Sequence, residues 1–136
     1  MDMSATAMAF FDACETGKGW SVCQAFCTDK ATFSAQADAL ADVVTLEAYT
    51  EWMKGLLVPV ADGHYELKAF SVDGERGIAT AFAVFHGTHT VDGPVPATGK
   101  TVAADYVYAM AFDGDKISHV TKIWNDVHSL KQLGWA

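Results

Sequence analysis

Two side chains of this 136-residue chain stand in settings that suggest chemistry, Lys122 and Tyr108. Lys122 shares its parity with Val120 and Trp124, so a strand through 116–124 sets it on an apolar face. A lysine held away from water loses affinity for its proton and becomes a base or a Schiff-base nucleophile. A one-residue slip or a bulge would instead turn it outward, toward water or an acidic surface. Tyr108 belongs to the alternating set Val102, Ala104, Tyr106, Tyr108, Met110 and Phe112. A phenol on that face can donate to a substrate carbonyl or a developing oxyanion. It can equally be a core aromatic whose hydroxyl reaches backbone or water, and the same holds for Tyr106.

Other candidates surround these two. Trp52 and Trp124 offer flat faces for a ligand or for the core, and Met110 adds apolar lining. Asn125 reads as a ligand contact, or it or Asp126 as the cap of a last helix. His86 and His89 lie three apart and therefore on opposite strand faces unless Gly87 makes a bulge; His89 reads as a structural bond to the following loop. His64, His119 and His128 have no visible partner. Cys23 and Cys27 are spaced to clip a metal from a helix, but no second pair completes a ligand set, so buried thiols and no metal are expected. Serine triads, glycine-rich phosphate loops and nucleotide fingerprints are lacking, which leaves acyl transfer and cofactor-dependent hydride transfer without support. No cofactor is expected.

Composition narrows the partners. Seventeen acidic against nine scattered basic residues give a net charge of −8, with no basic stripe to displace counterions from a nucleic acid. Charges interrupt every apolar run before it reaches the ~20 residues of a membrane span. Met1 is followed by Asp2 instead of a basic, apolar leader, so reduced thiols in a cytoplasm are expected.

The elements that position these residues form an α+β order within one domain, 1–136. A first helix carries Ala7, Phe11 and Cys14, with Ser4 as its N-cap, and stops at Gly17 and Gly19. A short second helix sets Trp20, Cys23 and Cys27 on one face, and 31–36 reads as a brief strand. Thr45 caps a third helix with Leu46, Tyr49, Met53 and Leu56 on one side, ended by Pro59. From His64 the period becomes two: 64–72 and 77–90 form a hairpin about Asp73-Gly74-Glu75, and 100–112 and 116–124 a second about Asp113-Gly114-Asp115. The loop 91–99 breaks pairing with two prolines. A last turn of helix should point Val127, Leu130 and Leu133 inward.

Four segments, in this order and spacing, resemble the SnoaL-like branch of the nuclear transport factor 2-like superfamily: Gly87-Thr88-His89-Thr90, Pro96-Ala97-Thr98-Gly99-Lys100, Phe112-Asp113-Gly114-Asp115-Lys116-Ile117, and Trp124-Asn125 with Leu130-Lys131-Gln132-Leu133-Gly134. The resemblance implies a cone-shaped, strongly bent mixed or antiparallel sheet packed by N-terminal helices, also called cystatin-like, around an apolar pocket for a small hydrophobic ligand. It also implies a homodimer through the outer sheet face, for which the alanine- and valine-rich segment 79–85 offers apolar surface. Polyketide cyclases of this family carry an acid/base aspartate on the final strand and a histidine on the strand before it. Those places hold Lys122 and Tyr108 here. An ordinary lysine is protonated at neutral pH and cannot abstract a proton next to a carbonyl. Two readings follow: a cofactor-free cyclase- or isomerase-type lyase on a small hydrophobic carbonyl compound, with Tyr108 as donor and Lys122 as base or charge stabiliser, or a binding or dimeric interaction module that has lost the aspartate.

Overall fold

The computed structural model describes residues 2–136. Four α-helices, α1 (Met3–Glu15), α2 (Trp20–Cys23), α3 (Leu46–Leu56) and α4 (Asp126–Leu133), accompany five strands: β1 (Cys27–Ala35), β2 (His64–Asp73), β3 (Ile78–Thr88), β4 (Thr101–Asp113) and β5 (Lys116–Trp124). The strands form one open sheet in the order β1-β5-β4-β3-β2, antiparallel except for β1 against β5. The mixed α+β architecture expected from the sequence is the one observed. The strand read at 31–36 is longer than expected, and Cys27 begins it instead of ending the second helix. That helix is a single turn followed by a 3-10 turn, Gln24–Phe26.

The end of α1 matters for the site. Asp2, not Ser4, is the N-cap: its carboxylate accepts from the Ala5 amide at 2.7 Å. At the other end Gly17, at φ +76°, lets its amide reach the Cys14 carbonyl while Lys18 reaches Ala13, a Schellman closure. A side chain at Gly17 would also meet Leu57 at 2.8 Å. The closure leaves Glu15 as the last helical residue, on the buried side with Phe11 and Cys14.

The inner face of the sheet is built from alternating residues. On β4, Val102, Ala104, Tyr106, Tyr108 and Met110 are buried. Across from them on β3 stand small partners, Ala83 opposite Tyr106 and Ala81 opposite Tyr108, which leave room for the two phenol rings to rise from the sheet. The alanines of 79–85 therefore face the core, and the apolar outer surface is carried by Phe82 and Ile123 instead. On β5 a bulge at Ser118 breaks the alternation between Ile117 and Val120. It lies before Val120, so Val120, Lys122 and Trp124 keep one parity and Lys122 points into the core, 6% exposed.

Asn125 caps α4 by accepting from the His128 amide at 3.2 Å. Leu133 is buried as the sequence reading expects and Leu130 half-buried, joined by Asp126 and Ser129, whereas Val127, expected inward, is exposed. The reason is Asp126, whose carboxylate turns inward to accept from the Ala39 amide at 2.9 Å and so rotates the helix.

Candidate functional site

Under the helices, five polar side chains from four elements form one buried chain of hydrogen bonds. The Lys122 ammonium donates to the Tyr49 hydroxyl at 2.9 Å. Tyr49 and Tyr108 hydroxyls lie 2.6 Å apart. Tyr108 and Tyr106 each donate to one carboxylate oxygen of Glu15. Because the Tyr108 proton goes to Glu15, the Tyr49 proton must go to Tyr108, which fixes the direction of the whole chain. The Cys14 thiol completes the group at 3.7 Å from the Tyr108 hydroxyl. All of these residues are at most 6% exposed.

The ammonium has one hydrogen-bond acceptor and an aromatic box for the rest of its surface. Its nitrogen lies 4.5 Å from the Trp124 ring centre, 5.1 Å from Tyr49, 5.3 Å from Trp52 and 5.4 Å from Tyr106. Ring faces carry negative quadrupole charge, and such contacts reach about 2 kcal/mol when water is excluded. The box is itself packed: Phe33 stacks on Tyr49 at 4.2 Å, and Tyr49 on Trp52 at 5.9 Å.

Burial disfavours every charge here, and the partners act against it. Burial pushes the Glu15 carboxyl above the usual carboxylate range, while Lys122 and the two phenols pull it back. The negative end of the α1 dipole also disfavours an anion there. Burial pushes Lys122 down to about 8, opposed by Glu15. Burial, reinforced by nearby negative charge, raises Tyr49 and Tyr108, so both hydroxyls keep their protons and can relay them. A carboxyl raised and an amine lowered, joined by hydroxyls, form an acid/base pair whose proton affinities are drawn toward one another.

Beside this chain lies a cavity of about 30 Å³. Glu15, Tyr106, Lys122 and Ser129 mark its polar side, and Met53, Leu56, Phe85, Val102 and Leu133 are among its apolar walls. That space admits about one water, not a substrate. Leu56 also lines an outer groove of about 430 Å³ with Trp52, Pro59, Pro94 and Trp135, so its side chain borders both spaces.

The SnoaL-like domain profile matches residues 7–120. The chain belongs to the SnoaL-like domain family. No curated protein matches it in sequence. In structure this SnoaL-like domain is similar to IdmH from Streptomyces antibioticus, a proposed polyketide cyclase, at 18% identity and TM-score 0.77 over 98% of this chain and 99% of that one. It is similar to a proposed SnoaL-like polyketide cyclase from Jannaschia sp. CCS1 at 15% identity and TM-score 0.77, over 97% and 91% of the two chains. A protein of ketosteroid isomerase-like fold from Catenulispora acidiphila, solved with trimethylamine, matches at 15% identity and TM-score 0.69, over 96% and 93%. At these identities the likeness establishes the shared fold. No helix among the described residues is long and apolar enough to cross a membrane.

Within the SnoaL-like domain, Tyr108 and Lys122 are cross-strand partners, and Tyr106, Trp52 and Trp124 surround the ammonium. Met110 is fully buried two residues beyond Tyr108, opposite Val120, and is not part of the cavity wall. Asn125 is exposed at the start of α4 and lines an outer groove together with Tyr106, Lys122 and Trp124. His86 faces outward to Glu66 at 3.1 Å, and His119 bonds Thr32 and Ser34 across β1, so both have partners that the sequence did not reveal. His89 is buried; its Nδ1 accepts from the Thr98 amide and the Trp135 indole, tying the loop and the tail to the sheet. The three cysteines are buried and unpaired. Glu15 and Tyr49 are the residues the sequence reading missed. The available signal for Glu15 was its position four after Phe11, a charge on the apolar side of α1.

Proposed function

We propose that the chain is a single cytoplasmic SnoaL-like domain working, without a cofactor, as a cyclase- or isomerase-type lyase on a small hydrophobic carbonyl compound. Glu15 moves the proton at the carbon beside the carbonyl, Tyr106 or Tyr108 donates to the carbonyl oxygen as charge develops, and Lys122 stabilises the resulting enolate. The observation that carries this reading is the Glu15 carboxylate held by two phenols beside a buried ammonium, at the polar side of an otherwise apolar cavity. It answers the missing aspartate on β5: a carboxylate reaches the same cluster from α1, so the loss of that aspartate is not a loss of acid/base chemistry. The cyclase assignments of its structural neighbours agree with this class.

The substrate body would enter from the groove beside Leu56 and displace that side chain. The test is α-proton exchange: a panel of small hydrophobic ketones in deuterated buffer, followed by NMR, should show protein-catalysed exchange for at least one compound. Ligands that bind by thermal shift yet exchange only at the buffer rate would overturn the proposal in favour of a binding module.

The outer sheet face supports a homodimer. Phe82 is 37% and Ile123 63% exposed there, beside a groove of about 850 Å³ that also runs along Asp105 and Val107.

A further inference from the structure

We infer that Lys122 is a covalent nucleophile, forming an imine with the carbonyl of a small hydrophobic aldehyde or ketone, and that the hydroxyl chain to Glu15 supplies the proton transfers. This rests on the carbonyl chemistry proposed above and gives it a covalent step. A lysine needed only for structure would be served by one carboxylate in direct contact. Here no carboxylate touches the ammonium; Tyr49 and Tyr108 stand between it and Glu15, each within hydrogen-bond reach of the next. Moving one proton along each bond converts Lys122 to a neutral amine and Glu15 to a carboxylic acid, with no change of net charge and no water required.

The step balances at this site. The neutral Lys122 nitrogen attacks the carbonyl carbon, the C–N bond forms, and the oxygen takes the proton released by nitrogen to give a carbinolamine. Glu15 then returns its proton to the hydroxyl, the C–O bond breaks, and water leaves. What remains is a protonated imine on Lys122 and a Glu15 carboxylate, the same charges as at the start. The aromatic box explains why the intermediate is tolerated, since the rings of Trp124, Tyr49, Trp52 and Tyr106 that hold an ammonium equally hold an iminium. The iminium acidifies the adjacent carbon, and the restored carboxylate beside the same cavity is placed to take that proton.

Burial lowers the lysine to about 8, which places a usable fraction of neutral amine near physiological pH. The other lysines lie at the surface; Lys68, for example, is 44% exposed in a pair with Glu66.

The experiment uses the full chain with butanal or cyclopentanone and sodium borohydride, which reduces any imine to a stable secondary amine, followed by peptide mapping by mass spectrometry. Lys122 should be labelled at least ~10-fold faster than Lys68. Glu15→Gln and Tyr49→Phe each interrupt the relay and should slow labelling at Lys122 by about 10-fold or more, leaving Lys68 unchanged. Labelling of Lys122 no faster than Lys68 in the wild-type chain overturns the imine, whatever the variants do. So does an unchanged Lys122 rate in folded E15Q and Y49F. If α-proton exchange persists while Lys122 stays unlabelled, the covalent step fails and the proton-transfer reading stands. If both are absent, both fail.

Discussion

Tyr108 and Lys122 are registered partners across the β4–β5 ladder, yet their polar atoms are joined through a third residue, Tyr49 of α3. The sheet alone therefore cannot complete the site. Helices α1 and α3 each contribute one group, and the charge at one end of the chain depends on the charge at the other.

That dependence sets a stability pattern. Glu15→Gln or Lys122→Met alone leaves one buried charge without its counterpart and should cost about 3 kcal/mol or more, measured by chemical denaturation. The double variant removes both charges and should cost much less than the sum of the single changes. Additive losses would mean that the two groups do not sense each other.

Stability should also depend on pH through Lys122. Its ordinary value is 10.5 and its folded value about 8. Between those limits the unfolded chain holds a proton that the folded chain has released, so stability rises with pH across that window, by up to about 3 kcal/mol. Below about 8 both states are protonated and the full cost of burial is present. Glu15 acts with the opposite slope: burial raises its value, so stability falls as pH climbs from 4.5 through the folded value. Lys122→Met should abolish the alkaline rise, and denaturation midpoints from pH 7.5 to 10 would register this.

Much of the frame was legible in the sequence, because period-two alternation, turn residues and helix caps are local signals. The cap at Thr45, the hairpin turn at Asp113-Gly114-Asp115 and the inward phenols of β4 all follow from them. The direction of Lys122 was harder to read, since the Ser118 bulge in the same strand is invisible to alternation and only its place before Val120 keeps the lysine inward. Glu15 and Tyr49 were missed as functional groups because their role arises from α1 and α3 meeting over β4, a nonlocal fact. The size of the cavity was not readable either. Large rings at 49, 106 and 108 fill what the family resemblance presents as a ligand pocket.

Leu56 lines both the outer groove and the cavity. Leu56→Ala should join the two spaces at a stability cost of about 2 kcal/mol, the low end for leucine truncation because this residue is only partly buried. Cyclohexanone affinity, measured by ligand-observed NMR, should increase several-fold; an unchanged affinity would place the entrance elsewhere.

A dimer through the outer sheet face puts Ile123 at a contact between copies. Ile123→Asp should shift the chain toward monomer in sedimentation velocity at micromolar concentration while preserving its circular dichroism. A wild-type chain that sediments as a monomer would contradict the dimer.

The most direct test of the central claim compares α-proton exchange in the wild-type chain with Glu15→Gln, on whichever small ketone exchanges fastest. Exchange catalysed by the wild-type protein and reduced about 10²-fold or more in the variant is expected for a carboxylate that takes the proton. A folded Glu15→Gln protein that exchanges at the wild-type rate would contradict it.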